Sequence, residues 1–292
     1  MTSPPNASAS PDARVGLVAG NGALPYQVAD VLANKGITPV IVAIKGEADP
    51  ETLVRSVAEL GWGEIGRLLK TLKRHGCSRL LLIGGISRRP DFASVFGDFG
   101  TLRLLPKITR ALMGGDDSLL SKVIGLFEAE GFEVVGMTDI APELLAGTGV
   151  LGKVSPSKTA LEDMDLAFKA TERLGELDIG QAAVAVGGRV VALEGAEGTD
   201  AMLERCAVLR ANGRIRSKGA AGVLVKAAKP KQDLRVDLPT VGPRTIDLAS
   251  AAGLAGIAVE AGRALIADQE ATFRKADEAG LFIYGIERPE KD

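Results

Sequence analysis

The segment from Lys229 to Gly242, KPKQDLRVDLPTVG, alternates charged side chains with apolar ones. Asp233, Arg235 and Asp237 are spaced by two residues, so an extended chain would place all three on one side. Two carboxylates can bind Mg²⁺ or Mn²⁺ or orient a water molecule, and a guanidinium can neutralise phosphate oxygens. The pattern predicts a phosphate-handling site. An Asp–Arg–Asp ladder on a solvated surface is the alternative interpretation.

The chain before this segment is locally basic, although the formal net charge of the whole protein is −2. Between Arg205 and Arg235 there are nine basic residues and one acid, Asp233. Part of such a run is a solvated surface, because Arg205 and Arg210 fall on a predicted helix. We expect other members to contact phosphate oxygens, and the candidates are Lys218, Lys226, Lys229 and Arg235.

A second acidic cluster, EGAEGTD, covers residues 194–200. Thr199 or Asp200 is predicted to cap the helix that follows, since both residue types favour the N-cap. Glu194 or Glu197 would then face a metal ion or a ligand hydroxyl, and a purely structural role is the alternative.

Two glycine-rich turns follow predicted strands of the first half. Gly20-Asn21-Gly22 precedes a helix, where free backbone N–H groups and the helix dipole can hold an anion. Its dinucleotide fingerprint is incomplete, because Pro25 takes the third glycine position and no acid ends the second strand. A nucleotide or phosphate contact and a plain tight turn both remain open.

The second turn, Gly84-Gly85-Ile86-Ser87, ends a strand, which is where open α/β sheets bind ligands. Arg88 and Arg89 come next and suit either an anion or a solvated turn. Further on, GGDDS at 114–118 precedes a helix, with Asp117 predicted as its N-cap and Asp116 available for a ligand or metal.

Short apolar runs alternate with amphipathic segments along the chain, which indicates an α/β protein with two domains. The predicted domains are a disordered tail at 1–13, a Rossmann-like parallel-sheet domain at 14–148 and an α/β domain at 149–292. The boundary lies in a segment rich in glycine and proline. Predicted strands cover 15–19, 38–43, 79–85, 132–137, 182–188, 190–195, 221–227, 256–260 and 281–286; predicted helices cover 24–35, 64–75, 117–130, 158–176, 200–211, 244–252 and 268–279.

Composition argues against several classes of function. The near-neutral charge and 4% aromatic content disfavour nucleic-acid binding. Cys77 and Cys206 stand alone in their segments, which fits a reducing cytosol and excludes a disulfide framework. His75, the only histidine, ends a basic helix, so histidine-based triads and metal sites are excluded and oxygen ligands remain. No apolar run is long enough to cross a bilayer.

Five motifs together resemble the LpxI-type UDP-2,3-diacylglucosamine pyrophosphatases: GLVAGNGALP, LLLIGGISR, GGDDSLL, VALEGAEGTDAML and KPKQDLRVDLPTVG. The resemblance extends over nearly the whole chain from Val15. It implies metal-dependent hydrolysis of UDP-2,3-diacylglucosamine to UMP and 2,3-diacylglucosamine 1-phosphate (lipid X), in the cytoplasm and with contact to the inner membrane. It also implies two α/β domains that hold the lipid-like substrate between them.

The resemblance implies that the catalytic aspartate lies in the segment from Gln232 to Asp237, both included. We expect Asp233, with Asp237 second, and Asp233, Asp237 and Glu197 as ligands of Mg²⁺ or Mn²⁺. The expected substrate-binding residues are Gly20, Asn21, Gly22, Gly84, Gly85, Ser87, Thr199, Lys218, Lys226, Lys229, Gln232 and Arg235. A nucleotide-sugar oxidoreductase and a non-catalytic nucleotide-lipid binding protein are the alternative functions.

Overall fold

The structure is a computed structural model that describes residues 14–87, 101, 116–230 and 232–288. The chain divides into two compact units, unit 1 (Met1–Ile140) and unit 2 (Ala141–Asp292). This division falls eight residues before the predicted boundary. The intervening residues belong to unit 2 because Ala146 N–H donates to Ala264 O at 2.9 Å and Gly262 N–H donates to Ala146 O at 2.8 Å.

Unit 1 is built on a five-stranded sheet of order β3-β2-β1-β4-β5 in which every neighbouring pair is parallel. This order confirms the Rossmann-like prediction, and the order reverses between β1 and β4. Its strands are β1 (Arg14–Ala19), β2 (Val40–Ile44), β3 (Ala58–Leu60), β4 (Cys77–Ile83) and β5 (Glu133–Val134); its described helices are α1 (Leu24–Asn34), α2 (Pro50–Arg55), α3 (Ile65–Arg74), α4 (Asp116–Ala129) and α5 (Met137–Ile140).

The strands of unit 1 are apolar enough to be buried on both faces. Leu17 of β1 and Leu80 and Leu81 of β4 are fully buried, and α1 and α3 cover the sheet with Leu32 and Leu72. Burying side chains of this size contributes about 1.5–3 kcal/mol each. The loops at the carboxyl edge therefore extend from a well-packed sheet.

Unit 2 is built on a six-stranded mixed sheet of order β6-β13-β11-β9-β7-β8. Strands β9, β11 and β13 are parallel, whereas β7 is antiparallel to β8 and β9, and β6 is antiparallel to β13. Its strands are β6 (Gly149–Val150), β7 (Ala182–Val186), β8 (Arg189–Leu193), β9 (Val223–Lys226), β10 (Thr240–Val241), β11 (Gly256–Glu260), β12 (Leu265–Ile266) and β13 (Phe282–Ile286); its described α-helices are α6 (Lys158–Glu176), α7 (Gly198–Ala211), α8 (Pro243–Ala251) and α9 (Gln269–Glu278), and a short 3₁₀ turn spans Pro142–Leu144.

Helices cover both faces of this sheet. Met164 and Phe168 of α6 pack on one face, against residues that include Ala183 and Val225. The opposite face packs on α7, α8 and α9, with Met202 and Ile246 in the core. Alternate residues of each strand therefore lie in different cores, as the two-residue period of a strand requires.

No helix in the described part of the chain combines the length and apolar character needed to span a bilayer.

Candidate active site

The predicted catalytic segment, residues 229–242, leaves the mixed sheet of unit 2 at its carboxyl edge. Strand β9 ends at Lys226, the parallel strand β11 ends at Glu260, and β8 is followed by Glu194 at the same edge. The segment returns to a two-stranded parallel sheet in which Thr240 pairs with Leu265. Open α/β sheets bind ligands at this edge.

The backbone from Asp233 to Asp237 forms a turn, so the predicted extended alternation is wrong. The N–H groups of Val236 and Asp237 both donate to Asp233 O at 3.1 Å. The Asp233 side chain also accepts from Arg235 N–H at 3.1 Å. An aspartate that bonds the backbone two residues on favours such a turn over a strand.

The turn still brings Asp233 and Arg235 together. Arg235 Nε donates to Asp233 Oδ1 at 3.0 Å and Nη2 donates to Oδ2 at 2.7 Å, which makes a bidentate pair. The Arg235 hydrogen bond holds the pKa of Asp233 below its ordinary value, against partial burial. The carboxylate is therefore ionised at neutral pH.

Asp237 points to a different partner, the buried side chain of Gln232. Gln232 Nε2 donates to Asp237 Oδ2, while Gln232 Oε1 accepts from Lys229 N–H at 2.8 Å. Gln232 is 8% exposed. Gln232 therefore ties the start of the segment, at Lys229, to the end of the turn, at Asp237.

Lys226 is buried, although we expected it on substrate phosphates. Its ammonium donates to Thr240 O at 3.1 Å. Desolvation lowers its pKa, and the negative charges of Glu194, Asp200 and Asp237 act in the opposite direction. The structure therefore places this cation inside unit 2, beneath the segment.

Thr199 and Glu194 form a second buried contact at this edge. Thr199 Oγ1 donates to Glu194 Oε1 at 3.0 Å, and Gln181 N–H donates to Glu194 Oε2 at 3.1 Å. The predicted N-cap role is wrong for both Thr199 and Asp200, because α7 begins at Gly198 with Glu197 at the cap position. Asp200 instead forms an ion pair with Arg244 at 2.6 Å.

The three expected metal ligands do not form one cluster. Glu197 pairs with Arg205 at 2.8 Å, whereas Asp233 pairs with Arg235 and Asp237 with Gln232. Within the described ranges, no group of three or more His, Cys, Asp or Glu side chains is placed to hold a metal ion. The described carboxylates of unit 2 are therefore not grouped as three or more ligands around one point.

The other predicted cations lie in different places. Lys229 Nζ is 2.5 Å from Asp178 Oδ1, just after α6. Lys218 is exposed and lies between the end of α7 and the start of β9. Thr199 and Arg210 lie roughly 16 Å apart along α7, at 1.5 Å per residue. Arg210 donates to Ser217 and to Ala221 O, which lie on either side of Lys218 in the chain. Lys218 therefore lies at the edge of the sheet opposite the one that holds Thr199.

The two glycine-rich turns of unit 1 meet at the carboxyl ends of β1 and β4. Asn21 N–H donates to Gly85 O and Gly85 N–H donates to Asn21 O, each at 2.9 Å. A Cβ atom on Gly20 or Gly85 would lie far inside contact distance of the other turn. Gly84 adopts a φ of 95°, which favours glycine.

Backbone N–H groups at Gly22 and Ser87 already donate to side chains of unit 1. Gly22 N–H donates to Asp49 Oδ2 at 3.0 Å, and Ser87 N–H donates to Glu47 Oε2 at 2.8 Å. Asn21 Nδ2 donates to the same Glu47 oxygen at 3.0 Å and to Ser87 Oγ at 2.8 Å. Two carboxylates therefore occupy the donors that a phosphate would need. Sequence reasoning missed both acids because they come three and five residues after β2.

Several further expectations cannot be placed. Arg88, Arg89 and Gly114-Gly115 lie outside the described residues, as do the side chains of Asp116 and Asp117, which begin α4.

Comparison with known proteins covers both units. Residues 14–144 match the LpxI N-terminal domain, and residues 147–284 match the LpxI C-terminal domain. The chain is 43% identical over 278 residues to the UDP-2,3-diacylglucosamine pyrophosphatase LpxI of Caulobacter vibrioides, a match that covers 95% of this chain and 99% of the relative. The chain therefore belongs to the LpxI family.

Proposed function

We propose that the protein hydrolyses UDP-2,3-diacylglucosamine to UMP and 2,3-diacylglucosamine 1-phosphate, a step of lipid A biosynthesis. The observation that carries this proposal is the 43% identity to a pyrophosphatase of that substrate, which extends over 95% of the chain. Both units match the corresponding family domains, so no part of the relative's architecture is missing.

Hydrolysis of a pyrophosphate is chiefly a matter of positioning and charge neutralisation. The oxygen of water bonds to one phosphorus, the bridging P–O bond breaks, and the bridging oxygen leaves with the other phosphate. This requires an oriented water molecule and fixed positive charge. An Asp233 carboxylate whose pKa is lowered by Arg235 suits the orientation of water, and Arg235 beside it suits a phosphate oxygen.

Among the described residues of the segment, we propose that the cations Arg235 and Lys229 meet the phosphates. The Arg235 side chain is 41% exposed on the turn, and Lys229 begins the same segment. The end of α6 packs on this point, since a Cβ on Gly175 would lie 2.9 Å from Pro230 Cδ. The exposed side chains of Leu177 and Ile179 flank Asp178 there, and we propose that they meet the acyl chains or the surface of the inner membrane, on the cytoplasmic side.

We propose that a divalent cation, Mg²⁺ or Mn²⁺, binds together with the substrate. Mg²⁺ is commonly held by one or two carboxylates plus substrate phosphates instead of an all-protein cage. Asp233 and Asp237 lie in one turn and could supply those carboxylates, whereas Glu197 is held by Arg205. Such an ion would add positive charge at the phosphates.

The turns of unit 1 are better suited to hydroxyl groups than to phosphate. Glu47 and Asp49 bring negative charge to the donors at Ser87 and Gly22. A sugar or ribose hydroxyl can donate to a carboxylate, whereas a phosphate would be repelled. The same carboxylates disfavour the oxidoreductase alternative, which requires the pyrophosphate of a dinucleotide at this turn.

The deciding experiment measures UMP release from UDP-2,3-diacylglucosamine by the wild type, Asp233→Asn and Asp165→Asn, each with Mg²⁺ or Mn²⁺ and with EDTA. We expect Asp233→Asn to lower kcat about 10²–10⁴-fold, the usual contribution of a positioned acid–base group. Asp165 is an exposed α6 residue paired with Lys169, so its variant is the matched control. EDTA should abolish release.

Binding of the substrate without UMP release by the wild type would instead establish a non-catalytic binding protein. Undiminished release by Asp233→Asn would move the essential role to Asp237, and undiminished release in EDTA would refute the proposed cation.

A further inference from the structure

Two buried charged side chains hold the two ends of the catalytic segment. At its entrance, Ala228 N–H donates to Glu260 Oε2 at 3.2 Å. At its exit, Thr240 O accepts from Lys226 Nζ at 3.1 Å. Lys226 ends β9 and pairs in register with Val259 of β11, so Lys226 and Glu260 lie on adjacent strands at one edge of the sheet.

Burying the charged forms of Lys226 and Glu260 is unfavourable in free energy. Glu260 is fully buried and Lys226 is 8% exposed. Desolvation raises the pKa of Glu260 and lowers that of Lys226, which opposes the charged form of each. Apolar residues would fill the same volume at equal or better stability. The two residues therefore need an explanation beyond filling the interior.

Each charge is supported by opposite charges. Glu260 Oε1 lies 2.9 Å from Arg288 Nε and 3.1 Å from Arg263 Nε. The Lys226 ammonium is attracted by Glu194, Asp200 and Asp237. These contacts keep both side chains directed at the backbone of the segment.

Gln232, inside the segment, links both restrained ends to the turn that contains Asp233. Gln232 accepts from Lys229 N–H, one residue after Ala228, and donates to Asp237, three residues before Thr240. Asp233 lies between these two points. A loosened entrance or exit would therefore shift the carboxylate relative to the substrate.

We infer that Lys226 and Glu260 are positioning residues that place Asp233 for the hydrolysis by fixing Thr240 O and Ala228 N–H. The inference rests on the proposed function. It assigns Lys226 a contact with the protein backbone in place of a contact with a substrate phosphate. Neither residue touches the reacting atoms.

The test compares Lys226→Met with Lys169→Met, a matched control because Lys169 is exposed on α6. Kinetics with UDP-2,3-diacylglucosamine and hydrogen–deuterium exchange of the free protein are measured on each full-length variant. We expect Lys226→Met to lower kcat about 10²-fold, the effect of misplacing a catalytic group by about 1 Å. KM should stay within about threefold, and amide exchange should accelerate in 228–240 but not in the rest of unit 2.

Unchanged exchange in 228–240 would overturn the inference, and so would faster exchange with undiminished kcat. A large rise in KM without faster exchange would return Lys226 to the substrate phosphates.

If Lys226→Met does not fold, Glu260→Gln replaces it, with the exposed Glu270→Gln as control. Glutamine keeps an acceptor for Ala228 but removes the negative charge beside Arg263 and Arg288, of which Arg288 keeps only Glu172, at 3.9 Å, among the described acids. The expected loss in kcat is therefore about tenfold with the same exchange signature. If the wild type releases no UMP, the proposed function fails, while exchange alone still decides whether the two side chains hold the segment.

Discussion

The glycine-rich turns of unit 1 and the predicted catalytic segment of unit 2 both lie at the carboxyl edge of parallel strands, yet their backbone polar groups are bonded in different ways. In unit 1, Asn21 and Gly85 exchange backbone hydrogen bonds, and Asp49 and Glu47 accept the donors beside them. In unit 2, Lys226 and Glu260 bring buried charges to the backbone of the segment. The first arrangement depends on close backbone approach and the second on side chains that must be held in place.

The geometry of the unit 1 turns therefore depends on steric space, and that of the unit 2 segment depends on buried charges. The unit 1 turns should fail when a side chain is added, because there is no space for it. The unit 2 segment should keep its fold but lose its geometry when a charge is removed. Loss of stability on adding a side chain would therefore support the first description, and loss of kcat on removing a charge would support the second.

The largest expected effect on stability is that of Gly20→Ala. The new Cβ would lie far inside contact distance of Gly85 O, which is backbone and cannot rotate away. We expect a loss of about 2–3 kcal/mol in the free energy of unfolding. Urea unfolding followed by the fluorescence of Trp62, the only tryptophan and a residue of unit 1, measures it.

Gly125→Ala is the matched control for that variant. Gly125 lies in α4 and a Cβ there would meet nothing within 4 Å, so alanine should stabilise by about 0.5–1 kcal/mol. Equal effects of the two alanines would show that the unit 1 turns are not limited by space.

The sequence predicted the long elements well because they have clear periodicity. The structure has α6 at 158–176 and β11 at 256–260, at the predicted bounds, and confirms the α/β class. Strands β3, β10 and β12 and helix α2 were missed, since two to six residues carry too little pattern. The strand order of unit 2 could not be predicted, because β7 pairs with β9 and β6 pairs with β13, which are far apart along the chain and are joined only in the folded sheet.

The contacts within residues 233–237 were predicted in part, and their backbone geometry was not. The spacing of Asp233 and Arg235 indicated a pair, and the structure contains it. The same spacing suggested a strand, but the Asp233 side chain bonds Arg235 N–H and closes a turn. Glu260 was missed because it ends an apolar strand 32 residues after Ala228, and only the sheet brings the two together.

A smaller effect, a change in KM, is expected from Glu47→Gln in unit 1. The direction of the change distinguishes a substrate hydroxyl from a substrate phosphate at these turns. Glutamine can still accept from Ser87 N–H and Asn21 Nδ2 but carries no charge. If the turns bind a substrate hydroxyl, KM for UDP-2,3-diacylglucosamine should rise about tenfold with kcat retained, the signature of lost uniform binding. Glu51→Gln, at an exposed position in the first turn of α2, is the control. A fall in KM would mean that the carboxylate had been repelling a phosphate, and would restore the anion interpretation of these turns.

The smallest expected effect concerns the Asp233–Arg235 pair and tests whether it stabilises the fold or only serves the site. The folded pKa of Asp233 is depressed, so its stabilisation is present above the ordinary pKa of aspartate and is lost as pH falls through the folded pKa. The side chains are 23% and 41% exposed, which limits the contribution to about 0.2–1 kcal/mol. Urea unfolding of Arg235→Gln should therefore differ from the wild type by that amount at pH 7 and converge with it in acid, while kcat at pH 7 falls. A loss of several kcal/mol at pH 7 would instead make this pair as structural as the glycine turns, and would remove the contrast between the two units.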